Sequence, residues 1–304
     1  MSLESDRISS ELFSELDFLN YVLKHKSDAK LFIQEIEGVE YTFLNERKGP
    51  FTYSVNLPFG LYIGTSRKTE LIHLLIAAKT LKSSQLTLNF GPDVELDELS
   101  VEKIAKDQGF DLLINKCHVL DTQRHIDDIF GDFNSTRKKH IRRYQKAHEI
   151  QVFKTRDVKY FKEYFVLYKD SANRWGTSMA YSKDFIEGLA DVPGIFMWVA
   201  VKNGDMLSGM ICMYYEDHIF DWLAASIINT EVKKLYAAAA VQYEVIKDAS
   251  ERGMKWVNMG ASKNLEGVSD FKDSWGAEER NTYTFMKRSF IFGIMKQLYG
   301  IIRK

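Results

Sequence analysis

The sequence predicts an α/β (α+β) protein of two domains, each a mixed, mostly antiparallel sheet flanked by helices. Three observations carry this. The chain has 304 residues, more than one small core needs. Apolar residues switch repeatedly between a period of two and a period near 3.6. Each half begins with a run of strands and continues with helix and strand in turn, the order of a mixed sheet with helices against it.

The elements follow in order. Leu12, Leu16, Leu19 and Leu23 recur at helical spacing and predict a helix over 11–24. Runs at 30–36 and 39–44 flank Glu37–Gly38 and predict a hairpin, with a third strand at 51–55. The segment NLPFGLYIG predicts a rigid turn leading to a short strand. A helix over 67–81, a strand at 85–90, a helix over 97–108 and a strand at 112–119 complete the first half. In the second half, a helix ends at Trp175 with Asp157 as N-cap and Gly176 as C-cap. Ser182 caps a short helix over 183–190. Strands at 194–201 and 206–215 meet across Lys202–Asn203–Gly204–Asp205, a strong hairpin signal, and a third follows at 218–226. The alanine-rich run 234–251 predicts a helix stopped by Gly253, then a strand at 254–260, a polar loop, a strand at 281–287 and a terminal helix.

Composition is that of a globular protein: 45% hydrophobic, 27% charged and 13% aromatic. A formal net charge of -1 argues against DNA binding by bulk electrostatics, though a local basic patch can still hold a phosphate-rich ligand. Cys117 and Cys212 lie in apolar strand runs and read as free core cysteines. The acidic, polar N-terminus is unlike a signal peptide, and no run approaches eighteen apolar residues, so a cytoplasmic protein without a membrane span is expected.

Three stretches are candidates for a site. FNSTRKKHIRRYQKA at 133–147 holds six cations and no acid, suited to clamping a phosphate or carboxylate, or else a solvated linking helix. The loop from Ser226 to Lys234 leads into a helix N-terminus, a favourable place for an anion. GASKNLEGVSDFKDSWGAE at 260–278 mixes glycines, serines and charges with Phe271 and Trp275, and Lys272 lies between them. The seven histidines have no metal-binding spacing, and nucleophile-elbow, kinase and dinucleotide signatures are missing, which disfavours metal and dinucleotide chemistry.

Several segments together carry a family resemblance. VLDTQRHIDDIFGDFNSTRKKHIRRYQK at 119–146 resembles the Fem-like pattern of an aspartate-ended strand, a short helix and a basic helix of the form S-x-R-x-x-I-R-R. LYKDSANRWGTSMAYSKDFIEGL at 167–189, FDWLAAS at 220–226, the run 239–260 and FKDSWGA at 271–277 are similar to the later motifs of that family, in its order. Asn258 stands where the family often has aspartate, and Trp275 where it usually has phenylalanine.

The resemblance is to the GNAT-like branch that includes Fem-type aminoacyl transferases (FemAB-type) and related acyltransferases. It implies two tandem GNAT-type domains, here 1–132 and 150–304 joined by a basic linking helix at 133–149, with substrates in the cleft between them. It implies transfer of an acyl group from acyl-CoA, a co-substrate rather than a tightly bound cofactor, to an amine of a small molecule or peptide. The long charged hairpin frequent in tRNA users has no counterpart here, which makes charged tRNA the alternative donor. A non-catalytic ligand-binding module on the same scaffold is the alternative of another class, and in either case a monomer or homodimer is expected.

The site residues that follow are Lys272 as stabiliser of the oxyanion and Asp221 as a conceivable base. Arg174, Trp222, Ser226, Asn258 and Arg142 are expected at the substrate. Thr230, Lys233, Lys234 and Tyr236 are expected at the donor, beside the start of the alanine-rich helix.

Overall fold

The computed structural model describes residues 12–61, 68–94, 96–176, 179, 181–229, 234–262 and 266–294. In chain order the elements are α1 (Glu15–Lys24), β1 (Ala29–Ile36), β2 (Val39–Lys48), β3 (Phe51–Val55), α2 (Lys68–Lys79), β4 (Gln85–Phe90), α3 (Glu98–Gln108) and β5 (Asp111–Asp121). There follow α4 (Ile126–Asp132), α5 (Ser135–Ala147), β6 (Gln151–Thr155), α6 (Val158–Trp175), α7 (Lys183–Gly188), β7 (Ile195–Lys202), β8 (Asp205–Tyr215) and β9 (His218–Ser226). The last are α8 (Ala237–Glu251), β10 (Trp256–Asn258), α9 (Glu266–Asp273) and β11 (Glu278–Arg288).

The chain forms two compact units. One comprises Met1–Ser14 with Cys117–Glu279, and the other Glu15–Lys116 with Arg280–Lys304. In the latter, β1, β2 and β3 form an antiparallel meander. Strand β3 pairs parallel to β4 from Tyr53↔Gln85 to Val55↔Thr87, and β4 pairs antiparallel to β11. Its core gathers Phe43, Leu71, Leu75, Leu88, Val101 and Phe285.

The unit that carries the candidate residues follows a similar order. Strands β6, β7, β8 and β9 pair antiparallel in sequence. Strand β10 pairs parallel to β9 and antiparallel to β5. The turn joining β7 to β8 has positive φ at both Asn203 and Gly204 (54° and 91°), the backbone an Asn-Gly hairpin requires. Helix α8 covers the sheet. Its Ala237, Ala240, Val241, Val245, Ile246 and Ala249 are all buried, too many for an amphipathic surface helix. Asp157 and Ser182 cap α6 and α7 as expected, accepting from Lys159 N at 2.8 Å and Phe185 N at 3.2 Å.

Four local expectations differ from the structure. Residues 133–149 were expected to link two domains; α5 instead buries Ile141 and Arg137 in the same unit as α8. Strand β6 has no counterpart in the sequence expectation, because five half-exposed residues make no contiguous apolar run. The polar loop expected after β10 contains α9, hidden by Gly267 and a short length that lower helix propensity. Strand β10 is three residues, not seven. Of the expected terminal helix, residues 290–294 are helical and the remainder lies outside the described residues, as does most of the short strand expected after Gly60.

Candidate active site

The site grows from a local fault in β9. The β8–β9 register runs Ile211↔Leu223 and then Cys212↔Asp221, so Trp222 has no partner on β8. The parallel pairing with β10 ends at Phe220↔Asn258. Beyond Phe220, β9 has lost β10 but keeps β8 as its partner, from Leu223↔Ile211 to Ser226↔Ser208. A bulge of this kind bends the strand and re-aims its side chains.

Asp221 sits at the bulge. Gln242 on α8 donates Nε2 to its Oδ2 at 2.6 Å, and the Cys212 thiol lies 3.6 Å from Oδ1. Burial pushes the Asp221 carboxyl up to about 6, against the opposing effects of Gln242, Cys212 and the Lys272 cation. Asp221 is thus a half-buried carboxylate held by Gln242 rather than a freely solvated group.

Lys272 is in the last turn of α9 and only 6% exposed. Its Nζ donates to the Gly260 carbonyl at 2.8 Å. Burial lowers its pKa to about 8, opposed chiefly by the Asp221 charge. The fold therefore couples the two residues expected to carry catalysis. Lys272 has no hydrogen bond or ion pair to Asp270 or Asp273 among the described contacts.

Asn258 is fully buried at the end of β10. Its Oδ1 accepts from Gly260 N at 2.9 Å, which fixes the amide, while Nδ2 has no partner among the described residues. A buried amide donor left open costs stability unless something else satisfies it.

The other expected residues distribute unevenly. Trp222 packs edge-on to Tyr181 and Phe185, at ring separations of 5.3 and 6.3 Å. Arg174 donates Nη2 to Ser171 Oγ at 2.8 Å and to the Ser226 carbonyl at 3.1 Å, and Ser226 Oγ lies 2.7 Å from Ser208 Oγ. Arg142 is exposed, its guanidinium 5.5 Å from the Phe130 ring, and the structure does not gather it with Lys272 and Asp221. Tyr236 precedes α8 in a left-handed conformation (φ 54°) and stacks on His140 at 3.9 Å. Lys234 is exposed and borders a small hollow with Arg143 and Tyr144. Thr230 and Lys233 lie outside the described residues.

Three residues escaped sequence reasoning. Gln242, 2% exposed, is a polar residue on a helix face that is otherwise apolar, and a buried amide there demands a partner. His118 stands in an apolar strand and is 1% exposed. Arg137 is, in sequence, one cation of a basic stretch. It is buried between the rings of Phe271 and Trp275, at 4.5 and 4.6 Å, and donates Nε and Nη2 to Ser274 Oγ. Desolvation lowers its pKa to about 10. This sandwich clamps α5 to the segment that carries Lys272. Arg137→Ala is expected to destabilise the fold by about 2–3 kcal/mol, measured by chemical denaturation, through a cavity and two lost cation–π contacts. Arg137→Lys recovers little, because an ammonium cannot fill a planar slot.

Among the described residues no group of three or more His, Cys, Asp or Glu is placed to hold a metal ion, and no helix is long and apolar enough to cross a membrane.

Comparison with known proteins shows what the chain is similar to. A family profile described as an acetyltransferase (GNAT) domain matches residues 132–273. The crystal structure of FemX superposes with a TM-score of 0.69 at 14% identity, covering 95% of this chain and 93% of that one. L-PGS from Bacillus licheniformis gives 0.57 at 14% identity over 93% and 96%, and a conserved protein of unknown function from Bacteroides thetaiotaomicron gives 0.58 at 12% over 92% and 93%. At such identities the likeness establishes the fold. A search of curated proteins finds no match to this sequence.

Proposed function

We propose that the protein is an N-acyltransferase that moves an acyl group from acyl-CoA to an amine of a small-molecule or peptide acceptor. The observation that carries the reading is the coupling of Lys272 with Asp221 at the β9 bulge, where β9 parts from β10. The GNAT-like fold supports an acyl-CoA donor, and we read the recurrence of a parallel strand pair in each unit as two tandem GNAT-type domains.

The chemistry assigns each group a task. The acceptor nitrogen attacks the thioester carbonyl carbon, the C–S bond breaks and an amide forms. Asp221, ionised above about pH 6, takes the proton that the amine loses. Lys272, protonated below about pH 8, offsets the negative charge that develops on the carbonyl oxygen. The open Nδ2 of Asn258 is a donor for a carbonyl of the donor or acceptor. Arg174 lies by the last residue of β9, where its fork suits an acceptor carboxylate or phosphate. The start of α8, with Lys234 and Tyr236 and the flanking Thr230 and Lys233, is the place for the CoA phosphates.

A second reading replaces acyl-CoA by charged tRNA. It is favoured by the exposed cations of α5, Lys139, Arg142, Arg143 and Lys146. Mixing the protein with acetyl-CoA or longer acyl-CoAs and a panel of amines, then following free thiol, separates the two. Thiol release that requires both protein and amine supports the first reading. Aminoacyl-tRNA consumption without thiol release supports the second.

A further inference from the structure

We propose that His118 is a positioning residue for the site. Its imidazole ties β5 to both ends of the segment between β10 and the end of α9, and so holds the Lys272 ammonium on the Gly260 carbonyl.

The contacts converge on that segment. The main chain of His118 grips its beginning, with His118 N donating to Gly260 O at 3.1 Å and Met259 N donating to His118 O at 2.8 Å. The ring then spans it. Nδ1 lies 3.2 Å from Ser262 Oγ, just after Gly260. Nε2 lies 3.3 Å from Ser269 Oγ and 3.2 Å from Asp273 Oδ1, both on α9 and on either side of Lys272. The Gly260 oxygen that accepts from His118 N also accepts from Lys272 Nζ. A histidine 1% exposed with both nitrogens engaged restrains the rotation of this short helix about its axis. Arg137 holds the opposite end of the same segment through Phe271, Ser274 and Trp275.

This rests on the reading of Lys272 as the cation of the site, but it is testable without substrate. A glutamine amide reaches where Nε2 lies and an asparagine amide where Nδ1 lies. The two variants therefore separate the α9 contacts from the Ser262 contact. The measurement is the NMR titration of Lys272, isotopically labelled on lysine, in the full-length protein and in His118→Ala, His118→Gln and His118→Asn. In the parent the lysine is expected to titrate at about 8. In His118→Ala and His118→Asn, α9 loosens and the ammonium gains water, so the value rises by about 1–2 pH units toward the ordinary lysine value. His118→Gln restores the parent titration. With an active donor and acceptor, kcat of His118→Asn falls about tenfold at unchanged donor KM, the mark of misplacement rather than lost binding.

A lysine that titrates near 8 in all folded variants overturns the positioning role and leaves the proposed function standing. A parent lysine that titrates at its ordinary value overturns both. If His118→Ala does not fold, the Gln and Asn variants decide alone: equal titration in the two contradicts the proposal.

Discussion

Lys272→Met is expected to fold normally and to turn over on the order of 10²-fold more slowly, with kcat reduced rather than the donor KM raised. Methionine keeps the buried stem as far as Cε but removes the ammonium. The loss falls on kcat because a fixed cation is worth most when the oxyanion has formed. Stability follows a different course. The folded pKa of Lys272, about 8, lies below the ordinary value of roughly 10.4, so the unfolded chain binds the proton more tightly. Stability from this group therefore increases as pH rises from about 8 toward 10.4, and the methionine variant loses that increase. The rate profile gives a second check. Activity needs Asp221 ionised and Lys272 protonated, so kcat falls below about pH 6 and above about pH 8. In Lys272→Met the alkaline limb disappears. The acidic limb moves up, because Asp221 has lost the cation that lowers its pKa.

Asp221→Asn is expected to make the protein more stable and less active at once. The amide still accepts from Gln242 and avoids the cost of a half-buried charge. The Asp221 pKa is raised to about 6 in the fold against roughly 3.9 unfolded. Between these values the unfolded chain releases its proton first, so parent stability falls as pH rises from about 4 to 6 and stays lowered above. The asparagine variant therefore gains up to about 3 kcal/mol at pH 7, read as a higher Tm, and the gain fades as pH falls toward 4. Turnover falls in the same variant by a factor on the order of 10²–10⁴, the usual contribution of a general base. A rise in Tm with unchanged turnover would show that the carboxylate is a structural burden without a catalytic role.

The strands and long helices were legible because their signals are local. Asn203–Gly204 fixes a turn by its own backbone preference, and Asp157 and Ser182 cap helices through groups two or three residues away. Lys272 and Asp221 could be singled out by residue type and by family resemblance. Their coupling could not, since 51 residues separate them (272 less 221) and only the fold determines their approach. Strand β6 and α9 were hidden for the opposite reason, being too short to establish a period. Arg137 looked like one cation among six, because the two rings that enclose it come from residues more than 130 positions later. Arg142, one turn further along α5, drew attention on the same charge and turned out to face solvent. Charge alone does not say which side of a helix is buried; Ile141 and the N-cap at Asn134 were the better guides.

The central claim is that an acyl thioester is the donor, and direct binding tests it most simply. Isothermal titration of the protein with acetyl-CoA and with longer acyl-CoAs is expected to show saturable binding. The same titration with Lys272→Met should leave affinity nearly unchanged, because that residue acts on the transition state. Failure of every acyl-CoA to bind, together with saturable binding of a charged tRNA, would contradict the account.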